Sequence, residues 1–437
     1  MRLNYLKIGM NKHILDSDAA HIWHPYAPLV HKRPIAEVVF AKGMYLHLAD
    51  GSTLLDAISS WWVNIHGHGN EQLANAVRDQ ILHLDHTLFA GFTHKPAVDF
   101  ATRFLDVVAC MQQRIFYSEN GSTAVEVALK LAVQFWKNKG LVKTRFVAIE
   151  GSFHGDTFGA MSVSARGLFT EVFESLLNPV LFIPYPDGTN DAQVLTVLED
   201  YIKDKTVAAF IYEPLIQGAG GMRIYSPEIL DKMMALCKKY DVLCIADEVM
   251  TGFGRTGKKF ASHYGKTNPD IMCFSKAITG GLLPLGATTC TREIEAPFLT
   301  NERYQTFFHG HSYTANATIC ALALASLDLF EAQACQQNIK RIELAHQGFV
   351  LSHINHPLIK RIQSLGTILA IEIETGNGET TYEHEMRHFL YDFFLNKGIL
   401  LRPLGNIIYV LPPYVVTNEE LEMVYKAVDE MLIALIE

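Results

Sequence analysis

The chain has 437 residues, of which 49% are hydrophobic and 19% are charged, and its formal net charge is −9. This composition is typical of a globular protein with one large and one smaller domain, or with two or three domains. The net negative charge and the lack of basic runs argue against a nucleic-acid partner.

The amino terminus, MRLNYLKIGMNKHILDSD, has no apolar core of the kind that a secretory signal needs. The longest apolar candidate for a membrane span, ATICALALAS, is shorter than the ~18 residues required. None of the seven cysteines forms a CxxC pair, and several lie in apolar runs, where a reduced cysteine packs like a small hydrophobe. We therefore expect a cytoplasmic protein with no membrane partner.

Short apolar runs rich in β-branched residues predict strands that are buried on both faces of a parallel sheet. These runs are RIFYSEN (114–120), FVAIE (146–150), VAAFIYEP (207–214), VLCIADEV (242–249) and IMCFSKA (271–277).

Helical periodicity fills the gaps between these strands, most clearly at 122–139 and 226–240. In the second segment Ser226 and Pro227 predict an N-cap and a first-turn proline. The alternation of strands and helices predicts an α/β fold with helices on both faces of the sheet.

The segment after residue 317 has a different pattern: one long helical stretch over 317–349, then short strands in ILAIEIET and IIYVLPPY, then an amphipathic carboxyl-terminal helix. We expect residues 61–320 to form the large domain. Residues 1–60 and 321–437 would together form the smaller one.

In sheets of this kind ligands bind beyond the carboxyl ends of the strands. The residues at those ends are Glu119–Asn120–Gly121, Glu150, Glu213, Asp247–Glu248 and Ser275–Lys276. A pocket built from them would contain several acids, one lysine and a helix that begins at a glycine.

Lys276 follows an apolar strand and precedes AITGGLLPLG, a position where an ammonium group loses solvation. A lysine whose side chain extends out of the core is the simpler interpretation of Lys276 alone. The functional interpretation is a desolvated amine that binds a carbonyl compound covalently.

Asp247, at the end of another predicted strand, could by itself be a metal ligand, a helix cap or an ion-pair partner. Pyridoxal phosphate needs such a lysine, a carboxylate at its ring nitrogen and a phosphate site. Gly121 and Ser122, where a helix begins, predict the phosphate site, although a simple N-cap would give the same pattern.

Two other patterns predict different chemistry. GFGRTG (252–257), followed by Asp270, matches the spacing of a dinucleotide site, but the glycines do not open a helix after the first strand and Asp270 precedes its strand. The histidines of HGHGN (66–70) and HGHS (309–312) have no third ligand at a suitable spacing, so no metal site is expected.

IADEVMTGFGRTG with Asp247, FSKAITGGLLPLGA with Lys276, YEPLIQGAGGM and FHGDTFGAMSV resemble the class III aminotransferases of the fold type I pyridoxal-phosphate enzymes. The resemblance covers most of the chain. It implies a large domain with a mostly parallel sheet and a smaller α/β domain built from both termini. It also implies pyridoxal 5′-phosphate as cofactor, with Lys276 and Asp247 as catalytic residues.

Within the class, WHPYAP (23–28), SSWWVNIHGHGN (59–70) and LRPLGNIIYVLPPY (401–414) are similar to the branch that forms 7,8-diaminononanoate in biotin biosynthesis. Met250 follows DEV where relatives that use ornithine or 4-aminobutyrate usually have glutamine. The resemblance implies 8-amino-7-oxononanoate as acceptor and S-adenosyl-L-methionine as the usual donor. Lysine as donor stays an alternative, and so does another ω-amino-acid aminotransferase, a decarboxylase or an aminomutase on the same fold.

Carried over by position, the resemblance implies roles for further residues. Gly121, Ser122 and Phe153 would bind the cofactor, and Ser312 would reach the phosphate of a neighbouring subunit's cofactor in a homodimer. The substrate pocket would be formed by Tyr26, Trp61, Trp62, Phe153, Gly310 and Arg402. Aromatic walls and an arginine suit an apolar chain that ends in a carboxylate, although core packing would equally explain one of the tryptophans.

The sequence departs from this branch at two places. Phe153 stands where tyrosine is usual, and HGHS stands where HGPT is usual, so that His311 and Ser312 replace proline and threonine. A serine still donates a hydrogen bond to a phosphate. An oxidoreductase that uses GFGRTG and a non-catalytic binding protein are the remaining alternatives from outside aminotransferase chemistry.

Overall fold

The computed structural model describes residues 12–30, 35–376 and 384–436. Residues 1–11, where a secretory signal is not expected, and residue 437, the end of the predicted last helix, lie outside these ranges. The strands of the described residues are β1 Val38–Lys42, β2 Tyr45–Leu48, β3 Thr53–Asp56, β4 Gln112–Ser118, β5 Arg145–Ile149, β6 Leu181–Ile183, β7 Val207–Tyr212, β8 Ile216–Gln217, β9 Arg223–Ile224, β10 Leu243–Asp247, β11 Ile271–Phe274, β12 Gly286–Thr291, β13 Ile359–Leu365, β14 Ile368–Ile373, β15 Ile399–Leu400 and β16 Ile407–Val410.

The helices of the same residues are α1 Lys12–His21, α2 Ser59–Trp62, α3 Glu71–His83, α4 Lys95–Val108, α5 Gly121–Asn138, α6 Phe158–Val163, α7 Asp191–Ile202, α8 Pro227–Lys239, α9 Arg292–Glu295, α10 Ala317–Glu331, α11 Gln333–His353, α12 Met386–Asn396 and α13 Asn418–Ala434. Short 3₁₀ turns cover Glu171–Leu176, Ala261–Tyr264, Lys276–Thr279, Ala296–Phe298 and Arg303–Gln305.

The largest sheet has seven strands in the order β4-β12-β11-β10-β7-β5-β6. Only β12 runs against the others, since it pairs antiparallel with both β4 and β11. The five predicted strands are confirmed as β4, β5, β7, β10 and β11. β12 was not predicted because GATTCT has few apolar residues, although most of the strand is buried.

Both faces of this sheet are covered. In β7, Phe210 and Tyr212 belong to one apolar cluster, whereas Ala209 and Ile211 belong to a second cluster on the opposite face, which includes α5. Removing a large apolar side chain from water contributes about 1.5–3 kcal/mol, so two buried faces explain why these strands have no polar alternation. The predicted α/β architecture is confirmed.

The helix predictions are confirmed in α5 and α8. The Ser226 hydroxyl accepts a hydrogen bond from the Ile229 amide, and Pro227 occupies the first turn of α8. The long helical stretch predicted over 317–349 is confirmed, but as two helices. It is divided into α10 and α11 at Ala332, whose ψ of 137° is extended.

No single helix of the described residues is long and apolar enough to cross a membrane. The bent pair α10 and α11, at 63°, passes that test by length and composition only.

The described residues also form three smaller sheets, with the orders β1-β2-β3-β15, β13-β14-β16 and β8-β9. β3 pairs in parallel with β15, and Leu400 lies opposite Asp56, so segments from both ends of the chain share one sheet. This pairing supports the domain division at residues 60 and 320, which stays a prediction. It also brings the segments after Asp56 and after Leu400 to the same sheet edge.

Candidate active site

A cavity of about 790 Å³ lies at the carboxyl-end edge of the large sheet. Most of the predicted site residues line it, although they are far apart in the sequence. They are Tyr26, Gly121, Ser122, Phe153, Asp247, Lys276, Trp61, Trp62 and Arg402.

Lys276 directly follows Ser275 at the end of β11, in a backbone conformation with φ of 49° that is unusual for a lysine. Its Nζ lies 4.9 Å from the centroid of the Trp62 ring. Burial lowers the pKa of the Lys276 ammonium, and the carboxylates of Asp247 and Glu213 oppose that shift. A lowered pKa makes this amine a better nucleophile and base at neutral pH.

Asp247 ends β10, the strand adjacent to β11, and is buried. Its Oδ1 accepts a hydrogen bond from the Val249 amide at 3.1 Å, and its Oδ2 lies 2.7 Å from His154 Nδ1. A carboxylate only accepts, so Nδ1 carries the hydrogen of that bond. His154 Nε2 is buried and has no hydrogen-bond partner among the described residues. The Asp247 side chain is therefore held in one orientation.

Glu213 follows β7 and also lines the cavity. Its two carboxyl oxygens accept hydrogen bonds from the amides of Phe153, at 3.0 Å, and Gly218, at 2.8 Å. Burial raises the pKa of Glu213 to about 7. The sequence marked Glu213 as a strand-end acid but assigned it no role.

A cradle for an anion forms where α5 begins. The N-cap is Asn120, whose side chain accepts from the Thr123 amide, so the simple N-cap interpretation of Ser122 is wrong. The amides of Gly121 and Ser122 have no acceptor among the described residues, and both residues line the cavity. Free amides at a helix amino terminus bind phosphate.

Two glycines keep this cradle open. A Cβ at Gly121 would lie 2.8 Å from a methyl group of Val249, and one at Gly155 would lie 2.1 Å from Ser122 Oγ. Gly155 also has φ of +130°, which other residues rarely adopt. The cradle and the chain around Gly155 therefore fit together only because these side chains are absent.

One wall of the cavity is aromatic and carries a cation. Trp61 and Trp62 lie in α2, and the Arg402 guanidinium lies over the Trp61 ring at 4.5 Å. Arg402 forms no ion pair or hydrogen bond with any other residue in the part of the chain that the structure describes. Trp62 is buried and its ring meets the Tyr409 ring edge-on at 5.9 Å. It therefore packs in the core and also lines the cavity.

A carboxylate that the sequence did not predict lies at this wall. The Tyr26 hydroxyl donates a hydrogen bond to Asp156, and the Tyr26 ring packs edge-on against Trp61 and Phe169. Asp156 lines the cavity beside Phe153. The clue in the sequence was the FHGD segment, in which only Phe153 was assigned a role.

Gly310 and Ser312 do not line this cavity. Both are exposed, and the Ser312 carbonyl lies 2.9 Å from His86 Nε2. The adjacent His311 pairs with Glu119 at 2.9 Å.

Of the strand-end acids, Glu213 and Asp247 line the cavity, whereas three others do not. Glu119 is held by His311, and Glu150 is exposed. The fully buried Glu248 accepts hydrogen bonds from Thr251 and from the amides of Ala261 and Ser262. A position at the end of a strand does not determine where the side chain points, so it could not distinguish these three acids from Glu213 and Asp247.

The dinucleotide alternative is excluded by burial. Residues 252–256 of GFGRTG are buried, and a Cβ at Gly254 would lie 2.6 Å from Ile339, so no ligand can approach that loop. Asp270 instead accepts a hydrogen bond from the Cys244 amide. Among the described residues no group of three metal-ligating side chains occurs.

Comparison with known proteins identifies the family. The profile of the family described as aminotransferase class-III matches residues 27–432. This chain is a class III aminotransferase. It is 42% identical to the adenosylmethionine-8-amino-7-oxononanoate aminotransferase of Synechococcus elongatus, over 94% of this chain and 98% of that protein. The Helicobacter pylori protein of the same name is 36% identical, over 95% and 96%.

Solved structures agree with this family. The adenosylmethionine-8-amino-7-oxononanoate aminotransferase of Methanocaldococcus jannaschii superposes with a TM-score of 0.90 at 31% identity, over 96% of this chain and 99% of that one. An amine transaminase from an uncultivated Pseudomonas species, solved with pyridoxal phosphate bound, gives 0.88 at 28% identity, over 94% and 97%. The fold is therefore fold type I, and the enzyme depends on pyridoxal phosphate.

The residues present fit that cofactor. The cradle formed by Gly121 and Ser122 offers free amides to a phosphate, Asp247 offers a fixed negative charge, and Lys276 offers an amine with a lowered pKa. A side chain at Gly155 would collide with Ser122, so the cradle requires glycine at this position.

Proposed function

We propose that this enzyme transfers an amino group to 8-amino-7-oxononanoate, giving 7,8-diaminononanoate, with S-adenosyl-L-methionine as donor. The observation that carries the proposal is Arg402, which lies over Trp61 without a protein partner among the described residues, in the same cavity as Lys276. A guanidinium in an aromatic wall suits a ligand whose apolar chain ends in a carboxylate. The relatives that carry the corresponding name support the choice of acceptor.

The walls of the cavity match the rest of this acceptor. Met250, which is buried, lies in the wall and contributes an apolar surface that suits the apolar chain of this acceptor. Asp156, which accepts from Tyr26, provides a negative charge that can pair with the acceptor's own ammonium group. The cavity thus offers a carboxylate to the ammonium group of the amino ketone and a guanidinium to its carboxylate.

The side chains divide the catalytic work. Bound pyridoxal phosphate supplies a ring that delocalises the electron pair released when a proton leaves the amine-bearing carbon. Asp247, held by His154 and Val249, provides the charge that would keep a proton on the ring nitrogen. Lys276 Nζ, with its lowered pKa, would move the proton from the donor carbon to the bound cofactor, and during amination of the acceptor it would move a proton from the cofactor to the acceptor carbon. Donor and acceptor use the cavity in turn, which predicts ping-pong kinetics.

We further propose that the enzyme is a cytoplasmic homodimer in which Ser312 reaches the partner subunit's cofactor phosphate. Ser312 and Gly310 are exposed and lie outside this subunit's cavity, and Phe308 and Tyr313 beside them are also exposed. Exposed apolar side chains around a polar loop are typical of a subunit contact. Sedimentation should give twice the chain mass of 49.0 kDa.

The test of the function is direct. Purified enzyme loaded with pyridoxal phosphate is given 8-amino-7-oxononanoate with either S-adenosyl-L-methionine or lysine, and 7,8-diaminononanoate is measured by mass spectrometry. Product with adenosylmethionine supports the proposal, whereas product with lysine alone assigns a different donor. Conversion of 4-aminobutyrate or ornithine without conversion of 8-amino-7-oxononanoate would refute the acceptor.

A further inference from the structure

Four consecutive residues that carry the cavity wall adopt a left-handed backbone. Ser59, Ser60, Trp61 and Trp62 have φ of 53°, 45°, 69° and 75°, and none of them is glycine. The turn is closed by the Trp62 amide, which donates to the Ile58 carbonyl at 2.8 Å. L-residues avoid this region, and such strain persists only where the surrounding structure imposes it.

A buried carboxylate holds this turn. Asp56 has no exposed surface, and its Oδ2 accepts from Ser60 Oγ at 2.7 Å and pairs with His68 Nε2 at 2.9 Å. Its Oδ1 accepts from the Ile58 amide at 3.3 Å. Because Nε2 donates to the carboxylate, Nδ1 of His68 is free to accept from the Asn64 side chain, 3.1 Å away. We call Asp56, Ser60 and His68 the turn clamp.

The turn clamp lies where the two cavity-forming segments meet. Asp56 ends β3, and its neighbour in the parallel strand β15 is Leu400, two residues before Arg402. The turn places Trp61 under the Arg402 guanidinium at 4.5 Å. A shift of the turn would therefore move the aromatic wall and the arginine relative to each other.

We propose that Asp56, Ser60 and His68 are positioning residues that set the carboxylate-binding wall of the substrate site. The inference rests on the proposed function only for the identity of the acceptor. The binding of an apolar chain that ends in a carboxylate does not depend on it. The turn clamp acts through Trp61 and Arg402. Ser60 lines the cavity, but the bond of its hydroxyl to Asp56 directs it towards the clamp.

The experiment compares His68→Leu, which removes the donor to Asp56, with His68→Gln, which retains an amide donor. His47→Leu is the matched control. His47 lies in the same small sheet as Asp56, but its ring stacks on Phe40 and it is not part of the turn clamp. Each enzyme is loaded with pyridoxal phosphate, and the dissociation constant for nonanoate is measured by calorimetry together with kcat and KM for 8-amino-7-oxononanoate.

We expect His68→Leu to raise the dissociation constant for nonanoate and the KM about 10-fold, with kcat little changed, and His68→Gln to restore both. Normal nonanoate affinity in a folded, loaded His68→Leu enzyme overturns the inference, as does an equal loss in His47→Leu. If the wild type binds nonanoate but does not aminate 8-amino-7-oxononanoate, the proposed function fails while the turn clamp is still tested.

Ser60 gives a second pair of variants in case His68→Leu does not fold. Ser60→Ala and Ser60→Gly both remove the hydroxyl, but only glycine is relaxed at φ of 45°. We expect both variants to weaken nonanoate binding. We also expect Ser60→Gly to have a higher thermal unfolding temperature than Ser60→Ala. A Ser60→Gly enzyme with wild-type affinity would show that the hydroxyl does not position the wall, and would overturn the inference.

Discussion

Replacing Arg402 by methionine tests the carboxylate end of the cavity. Methionine retains an unbranched side chain that can still cover the Trp61 ring, on which the guanidinium now lies at 4.5 Å. It removes the charge and all hydrogen-bond donors. The expected loss is therefore confined to substrates that carry a carboxylate.

The size of the effect follows from the surroundings of Arg402. A hydrogen bond to a charged group contributes about 1.5–3 kcal/mol, which corresponds to roughly 10- to 150-fold in affinity. Arg402 is partly exposed, so solvent screens the pair and we expect the lower end, about 10- to 30-fold in KM. Because no protein carboxylate competes for Arg402 among the described residues, none of this energy is lost in breaking an existing ion pair.

The assay compares 8-amino-7-oxononanoate with its methyl ester in the wild type, Arg402→Met and Arg402→Lys. Arg402→Met should raise the KM for the acid and leave that for the ester unchanged, and Arg402→Lys should fall between because lysine lacks the planar fork. An unchanged KM for the acid, or an equal rise for both acceptors, would refute the assignment of Arg402 to the carboxylate.

Other predictions concern the cofactor end. Lys276→Ala should abolish both transamination and the lysine-linked absorbance near 400 nm; a variant that retains both would contradict the role of Lys276. Asp247→Asn should lower kcat by about 10²-fold or more with the cofactor still bound, as measured by stopped-flow absorbance, because an amide cannot balance the ring-nitrogen proton. Gly155→Ala should weaken pyridoxal phosphate binding in a fluorescence titration, since its Cβ would meet Ser122 Oγ at 2.1 Å. Burial raises the pKa of Glu213 from 4.5 to about 7, so between these values the folded protein holds a proton that the unfolded chain releases. Relative to Glu213→Gln, the wild type should lose up to about 3 kcal/mol of stability as the pH rises from about 4.5 through 7; urea titrations at pH 5 and pH 8 measure this, and parallel profiles would exclude it.

The catalytic centre was predictable because it depends on local patterns. The apolar runs that end at Asp247 and Lys276 are long enough to identify strands, and the ends of parallel strands meet at one sheet edge. Which strands are adjacent was not in the pattern. Side-chain direction was not in the pattern either. Glu248, next to Asp247 in the sequence, does not line the cavity but contacts Thr251 and the turn at Ala261.

The substrate wall was accessible only through resemblance. Trp61 and Arg402 are brought together by β15, a strand of two residues that has no sequence signal of its own. Asp156 was missed because its contact with Tyr26 joins two segments that no periodicity relates. The left-handed turn could not be predicted, because it contains no glycine, the residue that usually indicates such a backbone in a sequence.

The two halves of the site therefore depend on different parts of the fold. Asp247 and Lys276 are fixed by the large sheet, whose strands are buried on both faces, whereas Trp61 and Arg402 are fixed by the short pairing of β3 with β15. A change in the small sheet can move the carboxylate-binding wall without disturbing the lysine or its carboxylate partner. Substrate choice can therefore differ among relatives that share this fold while the proton-transfer chemistry stays the same, because Trp61 and Arg402 follow strands of one sheet and Asp247 and Lys276 lie at strand ends of another.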